Sequence, residues 1–273
     1  MARVRALFQR FLPEGGGHAF VWKYSQPVGG RRPRHFHHEP ELNLVVRGSA
    51  QFGVGEGTVT VAQGELLVFP AGQDHVLLEG SSDLYLYAVG LEPAYSNEVL
   101  GAARQVVAPL HARLPAREFE RAVVGAEAIV DRTGAEQPGA ELWERLHWLG
   151  RHAAARASGR THVLTRRALE TMSEGEGIGL EALAAELRTH PSEISRHFHR
   201  DVGSTLVRHR TRLRLLNFIE LVDEGQGLMT AAGAAGFGSY AQCHRSFHAE
   251  LGCGPKQFFF GGLRDRMQGA YSS

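Results

Sequence analysis

Lysine is almost missing from this chain: only Lys23 and Lys256 are lysines, and 28 of the 30 basic residues are arginines. Net charge is nearly absent too. The 30 basic and 29 acidic residues leave +1, which excludes a uniformly basic nucleic-acid coat but not a local basic patch. Cysteine is scarce: Cys243 and Cys253 cannot build a disulfide framework and fit a reducing compartment. No apolar run approaches the roughly 20 residues that span a bilayer. The first ten residues are broken by arginines where a signal peptide needs an apolar core. These absences predict a soluble, cytoplasmic protein. What is present is ordinary for a globular chain. With 43% hydrophobic and 22% charged residues wholesale disorder is excluded, and 273 residues suffice for two cores.

The two halves differ in period. Leu42, Leu44 and Val46 alternate along one face, as do Val59 and Val61, then Leu84, Leu86 and Ala88. Turn signals separate these runs: Gly48, the stretch Gly53 to Gly57, Gly64, Pro70-Ala-Gly72 and Gly80-Ser-Ser. Short, evenly spaced strands predict an antiparallel sandwich or barrel. Beyond about residue 94 the period turns helical. Phe119, Val123, Ala126 and Val130 form one stripe and Leu142, Leu146, Leu149 and Ala153 another, with Pro138-Gly139 between them. The expected division is a ligand-sensing β-barrel over 1–93, a helical connector over 94–160 and an all-α domain over 161–273. The connector helices, 118–131 and 138–157, either bury their stripes against a twin chain, making a homodimer, or pack on the barrel.

The last segment reads as two helix-turn-helix units. Leu180, Leu183, Ala184 and Leu187 mark one short helix, Arg188-Thr-His190 a turn, and Pro191 the first position of the next helix. Ile194 and Phe198 pack back, leaving Ser192, Ser195, Arg196 and His199 outward, and Gly203 stops the helix. A long helix from about Thr205 to Asp223 leads to a second unit. There Ser239 is a plausible N-cap, Cys243 and Phe247 point inward, and Tyr240, Ala241, His244 and Arg245 point outward. Such a unit lays its second helix in the major groove, where base pairs are distinguishable. A connecting helix of roughly 19 residues spans about 28 Å, close to the ~34 Å between successive groove faces on one side of DNA. Between Arg188 and Arg214 seven arginines face Glu193 and Asp201, a balance of 7 − 2 = +5. Arg208, Arg210, Arg212 and Arg214 are candidate phosphate contacts.

Residues 161–260 resemble the DNA-binding domain of AraC/XylS-type bacterial transcription regulators. The motifs are Leu180 to Leu187, Ile194-Ser-Arg-His-Phe198 with Gly203, Arg212-Leu213, and Gly236-Phe-Gly-Ser-Tyr-Ala-Gln-Cys-His-Arg-Ser-Phe247 with Leu251-Gly252 and Gly254-Pro255. The resemblance implies base-facing positions at Ser192, Ser195 and Arg196, and at Tyr240, Ala241, His244 and Arg245. It also implies promoter DNA and RNA polymerase as partners. The sequence departs from the family where His190 replaces a serine cap, Arg188 a glycine, and Ala231 and Gly233 larger apolar residues.

In the first half, Gly29-x5-His35-x-His37-x3-Glu41-x6-Gly48 and Gly64-x5-Pro70-x-Gly72-x2-His75 resemble the two motifs of the cupin barrel, with Glu79 where an asparagine often closes the second. His35 and His37, two apart, share one strand face. Pro40 predicts a bend that lets Glu41 begin a neighbouring strand facing them, and His75 would come from a third. Three imidazoles and a carboxylate suit zinc, iron, manganese, nickel or copper. The same residues equally serve as hydrogen-bonding pocket groups with no metal. In either case Glu41, Asn43 and Val45 line a partly polar interior for a small effector, and His38 faces the other way.

Two functions fit. One is a non-enzymatic, sequence-specific transcription regulator controlled by a small molecule or metal in the barrel. The other is a metal-dependent cupin enzyme, a dioxygenase or isomerase, carrying a DNA-binding appendage. The sequence shows no second catalytic constellation that would name a reaction.

Overall fold

The computed structural model describes residues 7–8, 19–25, 33–92, 109–130, 142, 145, 161–173 and 179–265. The β half is two packed five-stranded sheets. One is ordered β1 (Leu7–Phe8), β3 (His35–Phe36), β8 (His75–Gly80), β5 (Ser49–Val54), β6 (Gly57–Ala62). The other is ordered β10 (Leu110–Arg113), β7 (Glu65–Phe69), β4 (Glu41–Arg47), β9 (Tyr85–Leu91), β2 (Ala19–Ser25). All pairings are antiparallel except β1 with β3.

Period-two alternation divides each strand between two cores. From β4, Leu42 and Leu44 point outward with Leu66, Val68, Tyr87 and Val89. Val45 points between the sheets, onto Phe52, Val61, Leu67, Phe69, Leu84 and Leu86. The outward core is covered by α1 (Ala116–Ile129), whose Ala122 and Ala126 are buried against it with Phe119, Val123 and Val130 alongside. The α1 stripe is thus spent on the barrel rather than left for a twin chain. Glu127 tethers the helix by accepting hydrogen bonds from the hydroxyls of Tyr85 and Tyr87 and from Lys23. The connector helix expected at 138–157 lies outside the described residues apart from Leu142 and Arg145. The segment read as wholly helical from residue 94 also contributes β10. Four residues paired along one edge are too short to carry a readable period.

The helical half comprises α2 (Val163–Ser173), α3 (Leu180–Glu186), α4 (Pro191–Val202), α5 (Leu206–Asp223), α6 (Leu228–Ala234), α7 (Tyr240–Leu251) and α8 (Pro255–Phe260). α2, α3 and α4 enclose one core around Leu183, Ile194, Phe198 and Val202, reaching Leu206 at the start of α5. α5 to α8 enclose another around Leu215, Phe218, Ile219, Phe247 and Phe258. This second core also holds Phe8 and Phe36 from the β half. The two halves therefore share buried surface. Among the described residues no helix is long and apolar enough to cross a membrane.

Candidate functional site

The pocket is built by three strand starts. β4 begins at Glu41, directly after Pro40, so the bend predicted there turns the carboxylate back toward His35 and His37. His35 and His75 are register partners of β3 and β8. One ligand atom from each of His35, His37, Glu41 and His75 lies within 4.8 Å of the others, and all four residues are buried. Glu41 Oε2 lies 2.9 Å from His37 Nε2 and 3.2 Å from His75 Nε2, while Oε1 accepts from Asn43 Nδ2 at 2.7 Å.

Each imidazole is oriented from behind. Nδ1 of His35, His37 and His75 lies 2.9, 2.7 and 3.0 Å from the carbonyl oxygens of Pro33, Glu39 and Gln73. A carbonyl only accepts, so Nδ1 carries the hydrogen and Nε2 points its lone pair into the pocket. For His37 and His75 that lone pair meets a carboxylate, another acceptor. A second proton or a shared cation must lie between them. Backbone carbonyls behind metal-binding histidines hold the tautomer in just this way, so the residues fit a divalent transition metal. With no cation between them, the electrostatics of the four groups favour the shared proton. Burial opposes the Glu41 charge, but His75 and His37 outweigh it and hold the carboxyl well below its ordinary range. Burial, with His75 and His37 beside it, keeps His35 neutral far below its usual range. His37 is opposed by burial and raised by Glu41.

Asn43 and Val45 are buried on the same face of β4 as Glu41, Val45 within the apolar core between the sheets. His38 is turned away, half-buried, with Nε2 3.5 Å from Glu220 of α5.

The two helix-turn-helix units are matched in build. α4 and α7 each have 12 residues, a side-chain N-cap, and a left-handed glycine at the end (Gly203 at φ 70°, Gly252 at φ 80°). His190, in place of a serine, caps α4 by accepting from the Ser192 amide, and Ser239 caps α7 by accepting from Gln242. Arg188 holds φ 49°, the left-handed turn where glycine is the unstrained choice. Ser192, Arg196 and His199 are exposed on α4 and Ser195 is half-buried; Ala241, His244 and Arg245 are exposed on α7 and Tyr240 is half-buried. Arg196 is 67% exposed and paired with Glu193 at 2.6 Å, a surface pair worth little.

Two expected phosphate contacts are placed otherwise. Arg212 is wholly buried: its Nε donates to Glu250 of α7 at 2.9 Å and its Nη1 to Asp74 of the barrel. Arg208 is mostly covered and paired with the same Glu250 at 2.9 Å. Residues two apart on a helix point about 200° apart, so the alternating arginines of α5 fall on different faces, and Arg212 falls on the buried one. Sequence reading missed Asp74, Glu250 and Phe36. The apolar Phe36 between two inward histidines was the one available sign that the outer face of β3 is covered.

The family model of the helix-turn-helix domain matches residues 183–259, and that of the cupin domain matches residues 22–90. No curated protein matches the chain. Among solved structures, ToxT from Vibrio cholerae aligns at 10% identity over 89% of this chain and 96% of its own, with a TM-score of 0.45. Unsaturated fatty acid-bound ToxT aligns at 11% identity over 89% and 94%, with a TM-score of 0.44. Oxalate decarboxylase from Bacillus subtilis aligns at 21% identity over 30% of this chain and 23% of its own, with a TM-score of 0.26. Likeness at these values is one of outline and decides nothing about function. The chain thus joins a cupin domain to a helix-turn-helix domain, in that order.

Proposed function

We propose that the chain is a transcription regulator that reads promoter DNA with α4 and α7 and is controlled by what binds in the barrel. The observation that carries this reading is the matched pair of capped recognition helices, each with an arginine at the same outward position, Arg196 and Arg245. The 18-residue α5 between the units spans about 27 Å. Ser192, Ser195, Arg196 and His199, with Tyr240, Ala241, His244 and Arg245, form the base-reading set. Arg210 and Arg214 remain as phosphate contacts. The expected division at residues 93 and 160 becomes, on this reading, a barrel that keeps β10 and α1 for itself. A homodimer and contact with RNA polymerase rest on the family resemblance alone.

Specific binding should fall steeply with salt, as counterion release requires. Arg196→Ala and Arg245→Ala should each weaken it by about 1–3 kcal/mol and relax base preference. Unchanged preference in both variants removes the base-reading assignment.

The effector reading deepens to one divalent transition metal held by His35, His37, Glu41 and His75, supported by the lone pairs of His37 and His75 that face Glu41. Bound there, the ion would supply charge and a coordination site; Asn43 and the three backbone carbonyls orient its ligands. Elemental analysis of untagged protein should find a stoichiometric metal that His75→Ala removes. Its absence from both leaves a small polar molecule as the effector.

A further inference from the structure

β3 is two-faced. His35 and His37 turn into the pocket, while Phe36 between them is fully buried in the core of α5 to α8. The segment leading into β8 does the same. His75 faces Glu41, and its neighbour Asp74 binds Arg212 of α5 and Arg34 of the barrel, the latter at 3.0 Å. Arg212 lies over the Phe36 ring, 5.6 Å from its centre, and passes on to Glu250 near the end of α7. The side chains of Arg212, Asp74 and Glu250 are 0%, 4% and 5% exposed. A second contact grips the other unit, where the Glu56 amide donates to the carbonyl of Gly203, the residue that ends α4, at 2.7 Å.

We propose that the chain Asp74–Arg212–Glu250, backed by Phe36, is the joint through which the barrel pocket sets the position of the DNA-reading helices. No pocket ligand is more than one residue from a side chain docked on α5, except Glu41. A shift of β3 or of the Asp74–His75 pair on occupancy therefore cannot be absorbed within the barrel alone. Buried charges make such a joint bistable: Asp74 and Arg212 must stay together or both be rehydrated. The inference rests on the regulator reading for its purpose, but the joint itself is testable without DNA.

Spin labels at Thr60→Cys on β6 and Met229→Cys on α6 report the distance between the halves; both positions are exposed, and the native Cys243 and Cys253 are buried. In the otherwise unaltered full chain, pulsed electron resonance should give one narrow distance. Asp74→Asn should lose that single maximum. Arg212→Met should do the same while leaving Asp74 with Arg34 and Glu250 with Arg208, so a misfolded Asp74 variant does not leave the matter open. Glu41→Gln, which disturbs the pocket and touches neither partner, should shift the distance, and the shift should vanish when Arg212→Met is added. A distribution in the two joint variants superimposable on the parent overturns the joint. An unmoved distribution in Glu41→Gln overturns its link to the pocket. DNA binding is measured on the same samples: no binding by the parent chain removes the regulator reading and leaves the distance results standing.

Discussion

His209 is buried on α5, its ring 5.6 Å from that of Phe198 and its Nδ1 without a hydrogen-bond partner among the described residues. Burial, reinforced by Arg212 and opposed by Asp74, lowers its pKa to about 4. The unfolded imidazole titrates near 6.5. Above that pH both states are neutral and stability is complete. As pH falls from 6.5 toward 4 the unfolded chain takes up a proton that the folded chain refuses, costing about 3 kcal/mol in all. Urea titrations of His209→Leu, followed by helical circular dichroism, should show a shallower loss over that window, with no loss of stability at pH 7.5. An equal slope in both proteins would place the proton uptake elsewhere. At this scale sequence reading did well where chemistry is local. His35, His37 and Glu41 converge through period-two spacing and a proline bend, while His75, 34 residues from Glu41, was reached through the resemblance to the cupin motif. It did poorly at Arg212, whose partners lie 138 and 38 residues away.

Among the elements, α6 carries an interior glycine at an exposed position. Gly233 sits inside a seven-residue helix, exposed, and a Cβ built there meets nothing within 4 Å. Gly233→Ala should stabilise the second helix-turn-helix unit by about 0.5–1 kcal/mol, since alanine orders a helix at lower entropic cost and has room here. Slower amide exchange in α6 and α7 is the measurement; unchanged exchange would mean that α6 is ordered by packing alone. The glycine stops of α4 and α7 and the Ser239 cap were legible, because a cap is a property of three or four consecutive residues; His190 was read only as a departure from a serine cap, although it caps α4. β10 was not, because its only signal is its pairing with β7.

For the whole molecule, the halves also meet backbone to backbone, where the Glu56 amide donates to the Gly203 carbonyl at 2.7 Å. Gly55 holds φ 56°, and a Cβ there would run into the carbonyl group of Gly203. Gly55→Ala should therefore push the β5–β6 turn off the end of α4 while leaving both cores intact. An increased radius of gyration by solution scattering, with circular dichroism unchanged, is the expected result. An unchanged radius would show that Phe36 and the Asp74–Arg212 contact suffice to hold the halves together.

Period-two and helical spacing, turn glycines and cap residues are read over a few neighbours. The amino-acid order alone therefore settled that a barrel precedes two helix-turn-helix units, and it predicted which side chains face the barrel interior and which face outward on α4 and α7. Which face of β3 is covered, where the stripe of α1 goes, and that Arg212 joins the halves instead of meeting solvent were decided only on folding. Those outcomes depend on pairing between residues far apart in the chain, and a buried guanidinium is stable only where a distant carboxylate is brought to it.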